Sequence, residues 1–277
     1  KIHQHLTHKF NIDRPLGWRM TESAILANYE LSVAQFDSLL AMEETPSYNF
    51  LKVGLRSLNK VGKDQKMETV LLAQEEAVRI KLCQKDYLRS TEGCKGIAFQ
   101  EPDDKRLSGK LLKMHAKDQS SRGNFMKEFE DKYQLDTIEY SSACSADIDL
   151  NNQCLLQEII KEHGFPTLKL VGYDALYGVF LIIQHADKDP EWQKAQLPYI
   201  KAAAEKGEFD GRWYAYLIDR TAVNAEQLQV YGTQFAKVDA TGVELRPLQD
   251  PENLDVRRRQ IGLMPIEMYK RFMLRGL

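Results

Sequence analysis

Residues 173–187 read Tyr-Asp-Ala-Leu-Tyr-Gly-Val-Phe-Leu-Ile-Ile-Gln-His-Ala-Asp, and the fold is decided on this stretch. Leu176, Val179, Phe180 and Ile183 recur at i, i+3, i+4, i+7, the period of a buried helical stripe. Leu181 and Ile182 widen the stripe, so the helix is apolar almost all round and is expected at the centre of a bundle. His185 follows Leu181 by four residues and Ile182 by three, which continues an apolar face. Gln184 and Asp187 share another side of the last turn. Asp189-Pro190 stops the helix, because proline cannot extend it. A histidine at the end of such a face needs hydrogen-bond partners for its ring, and a plain core histidine satisfies that as well as a functional one.

Two further helices follow closely. Residues 190–206 carry Trp192, Leu197, Ile200, Ala203 and Ala204 on one side, and Gly207 is expected to end them. Asp210 is expected to cap a third helix, Gly-Arg-Trp-Tyr-Ala-Tyr-Leu-Ile-Asp-Arg, in which Trp213, Tyr216, Leu217 and Arg220 share a face. Short connections make sequential helices antiparallel neighbours, so the first and third run the same way. Their C-terminal ends then deliver Gln184, His185 and Asp187 beside Asp219 and Arg220. The period changes from Gln227. Residues 228–235 and 243–248, parted by 239–242, predict a β-hairpin whose first strand holds Tyr231, Thr233 and Gln234. Two helices, 251–262 and 265–275, close the chain, with Arg257, Arg258 and Arg259 expected on a solvated face.

Upstream, residues 107–122 give a helix with Leu107, Leu111 and Met114 as its stripe. Asp118, Gln119 and Arg122 follow it. Asp118 and Arg122 stand four apart, the spacing of an exposed helical ion pair worth only ~0.3–0.5 kcal/mol. Residues 151–163 form an amphipathic helix stopped by Gly164 and Pro166. Before about residue 90 the pattern is again helical: Thr21 is expected to cap a first helix, Pro46 to begin a second, and residues 65–88 to form one long third. The chain divides on this reading into a helical region 1–90, a Gly- and charge-rich linker 91–106, and a motif-bearing domain 107–277. The fold class is mainly α, a helical bundle with a small β-hairpin near the C-terminus.

Composition bounds the function. The 277 residues are 43% hydrophobic and 28% charged, values of a folded globular chain. With 38 basic against 40 acidic residues there is no electrostatic case for nucleic acid or an anionic membrane. No run approaches the ~18 apolar residues of a membrane span. The chain opens on Lys1, as expected of a processed or trimmed terminus. His3, His5 and His8 could grip a metal, but a frayed terminus is the expectation. The four cysteines fall in two close pairs, Cys83/Cys94 and Cys144/Cys154. That spacing suits two local disulfides in an oxidising compartment, periplasmic or secreted, although four cysteines allow three connectivities and free cytoplasmic thiols are the alternative. No Cys-x2-Cys zinc spacing appears, and no phosphate loop, dinucleotide fingerprint, nucleophile elbow or HExxH is present.

Six motifs occur in order: Asp118-Gln119 with Arg122; His163-Gly164-Phe165-Pro166; Gln184-His185-Ala186-Asp187; Tyr216-Leu217-Ile218-Asp219-Arg220; Tyr231-Gly232-Thr233-Gln234; and Asp250-Pro251-Glu252-Asn253 with Arg257-Arg258. On these motifs, residues of about 105–277 resemble a family of uncharacterised bacterial proteins, a domain of unknown function. Phe165 and Ile218 depart mildly from the Trp and Thr expected there. The resemblance implies no activity.

Three functional readings stay open at this stage. The first is an enzyme, a hydrolase or transferase, with His185 as acid/base, Asp187 or Asp219 orienting it, and Arg220 with Gln234 holding a polar or anionic ligand. Asp118, Gln119, Arg122, Gln184, Tyr231 and Thr233 complete the expected binding set. No metal site is assigned and the cofactor is unknown. The second is a module binding a small molecule or peptide, with a protein partner on residues 21–90. The third is a buried hydrogen-bond network that only holds the bundle together.

Overall fold

The computed structural model describes residues 14–42, 46, 48–83, 85–97, 101–206, 208, 211–239 and 241–275. The chain parts into two compact units between residues 99 and 100. The expected metal grip of His3, His5 and His8, the Asp210 cap and the Gly207 stop lie outside the described residues.

The first unit is helical: α1 (Arg14–Ile25), α2 (Tyr29–Leu40), α3 (Tyr48–Lys60), α4 (Asp64–Leu72) and α5 (Glu76–Cys83). Met20, Phe36, Leu39, Leu55, Leu58, Leu71 and Leu82 make its core. Thr21 caps nothing. It lies within α1, its hydroxyl donating to the Gly17 carbonyl at 2.9 Å, and Asn28 caps α2 by accepting from the Leu31 amide at 3.2 Å. The long helix expected over 65–88 is broken at 73–75, where the Gln74 side chain donates to the Val70 carbonyl at 2.8 Å. A polar side chain that satisfies a helix-end carbonyl lets the chain turn there without an unmet acceptor. Of the expected linker 91–106, Thr91, Gly93 and Cys94 are buried in this unit. The Glu68 carboxylate accepts from the amides of Glu92 and Gly93 at 2.7 and 2.9 Å, and Cys94 is bonded to Cys83.

The second unit contains α6 (Lys105–Ser120), α7 (Lys127–Lys132), α8 (Ile148–His163), α9 (Leu168–Val171), α10 (Tyr173–Gln184), α11 (Pro190–Ala195), α12 (Leu197–Glu205) and α13 (Gly211–Asn224). The hairpin β1 (Phe235–Asp239) and β2 (Gly242–Leu245) follows, then α14 (Leu254–Gln260) and α15 (Ile266–Arg275). As its stripe requires, α10 is the central helix: Leu176, Val179, Phe180, Ile182 and Ile183 are all buried. Asp104, Asp147 and Asp189 cap α6, α8 and α11 through bonds to the third amide along, and Gly164 (φ 75°) stops α8. The helix expected over 190–206 is broken at Gln196, because Pro198 stands in the first turn of α12.

Helix directions can be read from paired contacts. Ser108 donates to the Val171 carbonyl at 2.7 Å near the starts of α6 and α10, and Asp118 meets His185 at their ends, so the two helices run parallel. On α13, Trp213 packs on Tyr177 and Phe180 with centroids 4.8 and 5.1 Å away, while Asn224 donates to Asp187 at 2.8 Å. Hence α13 also runs parallel to α10, as the short connections predict.

Gly178 lets α6 and α10 approach. A Cβ built on it would stand 2.6 Å from the His115 Cβ, inside any tolerated contact. Gly178→Ala is therefore expected to force the helices apart, at a cost of about 1–3 kcal/mol, and to lower the melting temperature by several degrees in a calorimetric scan. An unchanged melt would show that the packing yields freely there.

Candidate functional site

Asp118 lies in the last turn of α6 and His185 is the C-cap residue of α10, so the parallel pairing sets them against each other. His185 Nδ1 is 2.8 Å from Asp118 Oδ1. The Asp118 side chain is only 1% exposed, and that of His185 is 13% exposed. Gln119 donates to the other Asp118 oxygen at 2.7 Å, and Arg122 lies 3.1 Å from Oδ1. Arg122 also donates to the Asp118 backbone carbonyl at 2.9 Å and to Asp149, on the first turn of α8, at 2.6 Å. Asn124 donates to Gln119 at 2.7 Å, fixing that amide in turn. The expected exposed ion pair of Asp118 with Arg122 is thus a buried carboxylate serving three donors. Burial alone would raise the Asp118 pKa. The hydrogen bond and charge of His185, then Gln119 and Arg122, outweigh it and hold the carboxyl below its ordinary value.

An ionised Asp118 accepts only, so Nδ1 carries a hydrogen, and in the neutral imidazole Nε2 is the nitrogen with the lone pair. Among the described residues no protein group hydrogen-bonds Nε2. The arrangement is a histidine held in one tautomer by a buried acid, with its other nitrogen turned away from it.

The sequence reading assigned this orienting role to Asp187 or Asp219, and neither fills it. Asp187 accepts from Arg220 through Nε at 2.8 Å and again through Nη2, and from Asn224 at 2.8 Å. Burial opposes its ionisation, but Arg220, Asn224 and Gln193 lower its pKa on balance. Arg220, expected to hold a ligand, is therefore already matched by a carboxylate. Of Gln184, the backbone carbonyl is engaged, accepting from Gln193 at 2.9 Å.

Asp219 is fully buried and serves the backbone of residues 229–234. Its carboxylate accepts from the amides of Val230 (2.7 Å), Tyr231 (2.9 Å) and Thr233 (2.9 Å), and from the Thr233 hydroxyl (2.9 Å). The Gln229 side chain brackets the same loop, accepting from the Gln234 amide and donating to the Gln234 and Arg246 carbonyls. Arg258 binds the carbonyls of Tyr231, Gly232 and Met264, and Arg257 binds that of Val230. Tyr231, Thr233 and Gln234 accordingly lie in a loop and not in the expected strand, since Asp219 takes the amides that a neighbouring strand would have used. Gly232 supplies the turn, at φ 66°. The expectation of a solvated Arg258 is also corrected. It is 0% exposed, with its guanidinium over the Tyr269 ring at 5.0 Å.

Sequence reasoning missed the amides that open α8. Asn151 and Asn152, 1% exposed each, follow Asp149 on α8. Asn151 accepts from the Cys144 and Ser145 amides and donates to the Ser141 carbonyl and the Tyr140 hydroxyl. The Tyr140 hydroxyl in turn donates to Asn152 Oδ1 at 2.9 Å. The Cys144–Cys154 bond staples the same loop to the helix. Three consecutive amides, Asn151-Asn152-Gln153, opening an amphipathic helix were the signal available. No cysteine among the four is free. In the one group among the described residues that could hold a metal, Cys144, Cys154 and Glu158, both cysteines are engaged in that disulfide. No described helix is long and apolar enough to cross a membrane.

A family model described as a family of unknown function, DUF6624, matches residues 105–276, the stretch that carries the six motifs. Among curated proteins and among solved structures, none matches.

Proposed function

The chain belongs to the DUF6624 family, of unknown function, and from the geometry of its site we propose that Asp118 and His185 are the acid/base centre of an enzyme. The reaction class is hydrolysis or group transfer on a polar ligand. One observation carries this reading: a nearly sealed carboxylate bonds Nδ1 of a partly open imidazole whose Nε2 has no protein partner. In that role neutral His185 takes a proton at Nε2 from water or a ligand hydroxyl. Asp118 then stabilises the imidazolium, and the proton passes on to the leaving group. No cysteine thiol is available as a nucleophile, which favours water. The two disulfides support an oxidising compartment, periplasmic or secreted.

A structural reading has its own observation, the saturated Asp219, and it applies to residues 219 and 229–234. His185→Gln separates the two, because glutamine still offers Asp118 an N–H. Turnover on a panel of capped peptides, esters and phosphoesters is expected to fall about 10²–10⁴-fold, with the melting temperature within a few degrees of the parent. Retained turnover would remove His185 from the chemistry. A large melting loss would move the dyad to the structural class.

A further inference from the structure

The start of α8 is bonded to the chain on both sides of the dyad. Asp149, in its first turn, accepts from Arg122 Nη2 at 2.6 Å, and Arg122 lies just past the end of α6. Asp147, which caps α8, accepts from Lys188 at 2.6 Å, and Lys188 follows His185 in the connection between α10 and α11. Further along α8, Gln153 donates to Asp189 of that same connection at 2.7 Å. One stretch, 147–153, therefore reaches the end of α6 and the end of α10 at once. The loop before it is fastened to the same helix by the Cys144–Cys154 bond and by the Asn151 side chain, which accepts from the Cys144 and Ser145 amides.

Within this brace Arg122 is divided between two carboxylates. Nη2 bonds Asp149 Oδ1 at 2.6 Å. Nη1 has two hydrogens and three oxygens in reach: the Asp118 carbonyl at 2.9 Å, the Ser121 hydroxyl at 3.1 Å and Asp118 Oδ1 at 3.1 Å. The same Oδ1 takes the Nδ1–H of His185 at 2.8 Å. Guanidinium and imidazole thus meet at one oxygen of Asp118, and His185 holds the closer place. A guanidinium free to turn offers a carboxylate two parallel N–H groups, the strongest pairing open to it. Asp118 could accept that fork, since its other oxygen is bonded to the neutral Gln119 amide. Asp149 occupies Nη2 and so keeps the fork from closing on Asp118. Because the Asp118 side chain is only 1% exposed, water does not relieve the competition for its oxygens.

Resting on the acid/base reading above, we propose that Asp149 is a positioning residue for His185 that acts through Arg122. By holding the guanidinium it reserves Asp118 Oδ1 for Nδ1–H, and so leaves Nε2 as the nitrogen that takes the proton. The four groups stand in a row, Asp149, Arg122, Asp118 and His185, each bonded or paired to the next. Once His185 takes a proton the row alternates in sign along its whole length, and the new cation faces a carboxylate whose other cation is held back. The effect of Asp149 on the imidazole therefore depends on Arg122 being present.

The test reads the imidazole in the full chain, without a substrate. The protein is labelled with 15N and kept in mildly alkaline buffer, and long-range 1H–15N correlations give the ratio of the Nε2–H to the Nδ1–H tautomer at His185. The parent is expected to be mainly Nδ1–H. Asp149→Ala is expected to raise the Nε2–H share at least about threefold, and Asp149→Asn, which still offers Nη2 an acceptor, to fall between. The Asp149 side chain is 31% exposed, so the fold is expected to tolerate both. Arg122→Gln removes the competitor and should leave the ratio at the parent's value. The double variant, Asp149→Ala with Arg122→Gln, should then match Arg122→Gln alone. A rise in Nε2–H that persists without Arg122 would mean that Asp149 acts only by fixing the start of α8, and would overturn the proposal. So would an unchanged ratio in Asp149→Ala, or a parent that is mainly Nε2–H. The acid/base reading is tested separately by the turnover of His185→Gln, so the failure of one is distinguishable from the failure of the other.

Discussion

Asp219→Ala is expected to lower the melting temperature of the second unit by roughly 6–20 °C. The carboxylate is fully buried and accepts four hydrogen bonds, three from backbone amides of one loop. Alanine leaves those donors unmet, at about 1–3 kcal/mol each if they stay buried. The loop can relax and recover part of this from water, so a net loss of about 3–5 kcal/mol is the expectation. For a unit of this size each kcal/mol moves the melt by about 2–4 °C. Asp219→Asn keeps the shape and one acceptor oxygen, and should fall between. Cleavage by a protease should appear first within 229–234, because the clamp from Asp219 on one side and Arg258 on the other is what holds that backbone. A melt within 2 °C of the parent, with no new cleavage, would show the clamp to be dispensable.

Asp118→Asn carries the second large effect, and its signature is pH. The folded-state pKa of Asp118 is depressed, so its ionisation stabilises the fold above the unfolded value, near pH 4, and that contribution is lost as pH falls through the lower folded value. The parent is therefore expected to lose stability steadily below about pH 4, and the variant to show a shallower slope in the same window. At neutral pH the substitution should cost about 2–4 kcal/mol. That is under the 3–5 of a fully sealed ion pair, because the Arg122 side chain is 29% exposed and water screens it. Turnover should fall with it, since His185 loses the acceptor that sets its tautomer. Chemical denaturation between pH 2.5 and 7 measures both. Parallel slopes for parent and variant would mean that folding does not depress the Asp118 pKa.

How much of the site was legible follows from what each residue reports. The Leu176–Val179–Phe180–Ile183 spacing identifies α10 as buried, because a side chain's period is fixed by its own helix. Arg220 lying beside Asp187 follows from connection length; Asn224 joining them does not. The residue pairing His185 was not legible. Asp118 stands 67 positions upstream on a helix that approaches α10 only because Gly178 lacks a side chain. Asp118 four before Arg122 reads as a solvated pair in any isolated helix. Its burial comes from α10, which no local spacing encodes. The segment 228–235 misled for a related reason. Its residues have the composition of a strand, but a carboxylate from α13 supplies the acceptors that a neighbouring strand would have offered.

By itself, the order of residues determined the helical class, the central helix, the hairpin's place near the C-terminus and the two close cysteine pairs, all consequences of periods and separations a few residues long. Tertiary structure alone decided which acid faces His185, that Asp219 and Arg258 hold a loop together, and that Asp149 meets Arg122. Hydrogen-bond partnership depends on where separate helices stop and how closely they pack, and those distances are set by side chains far apart in the chain.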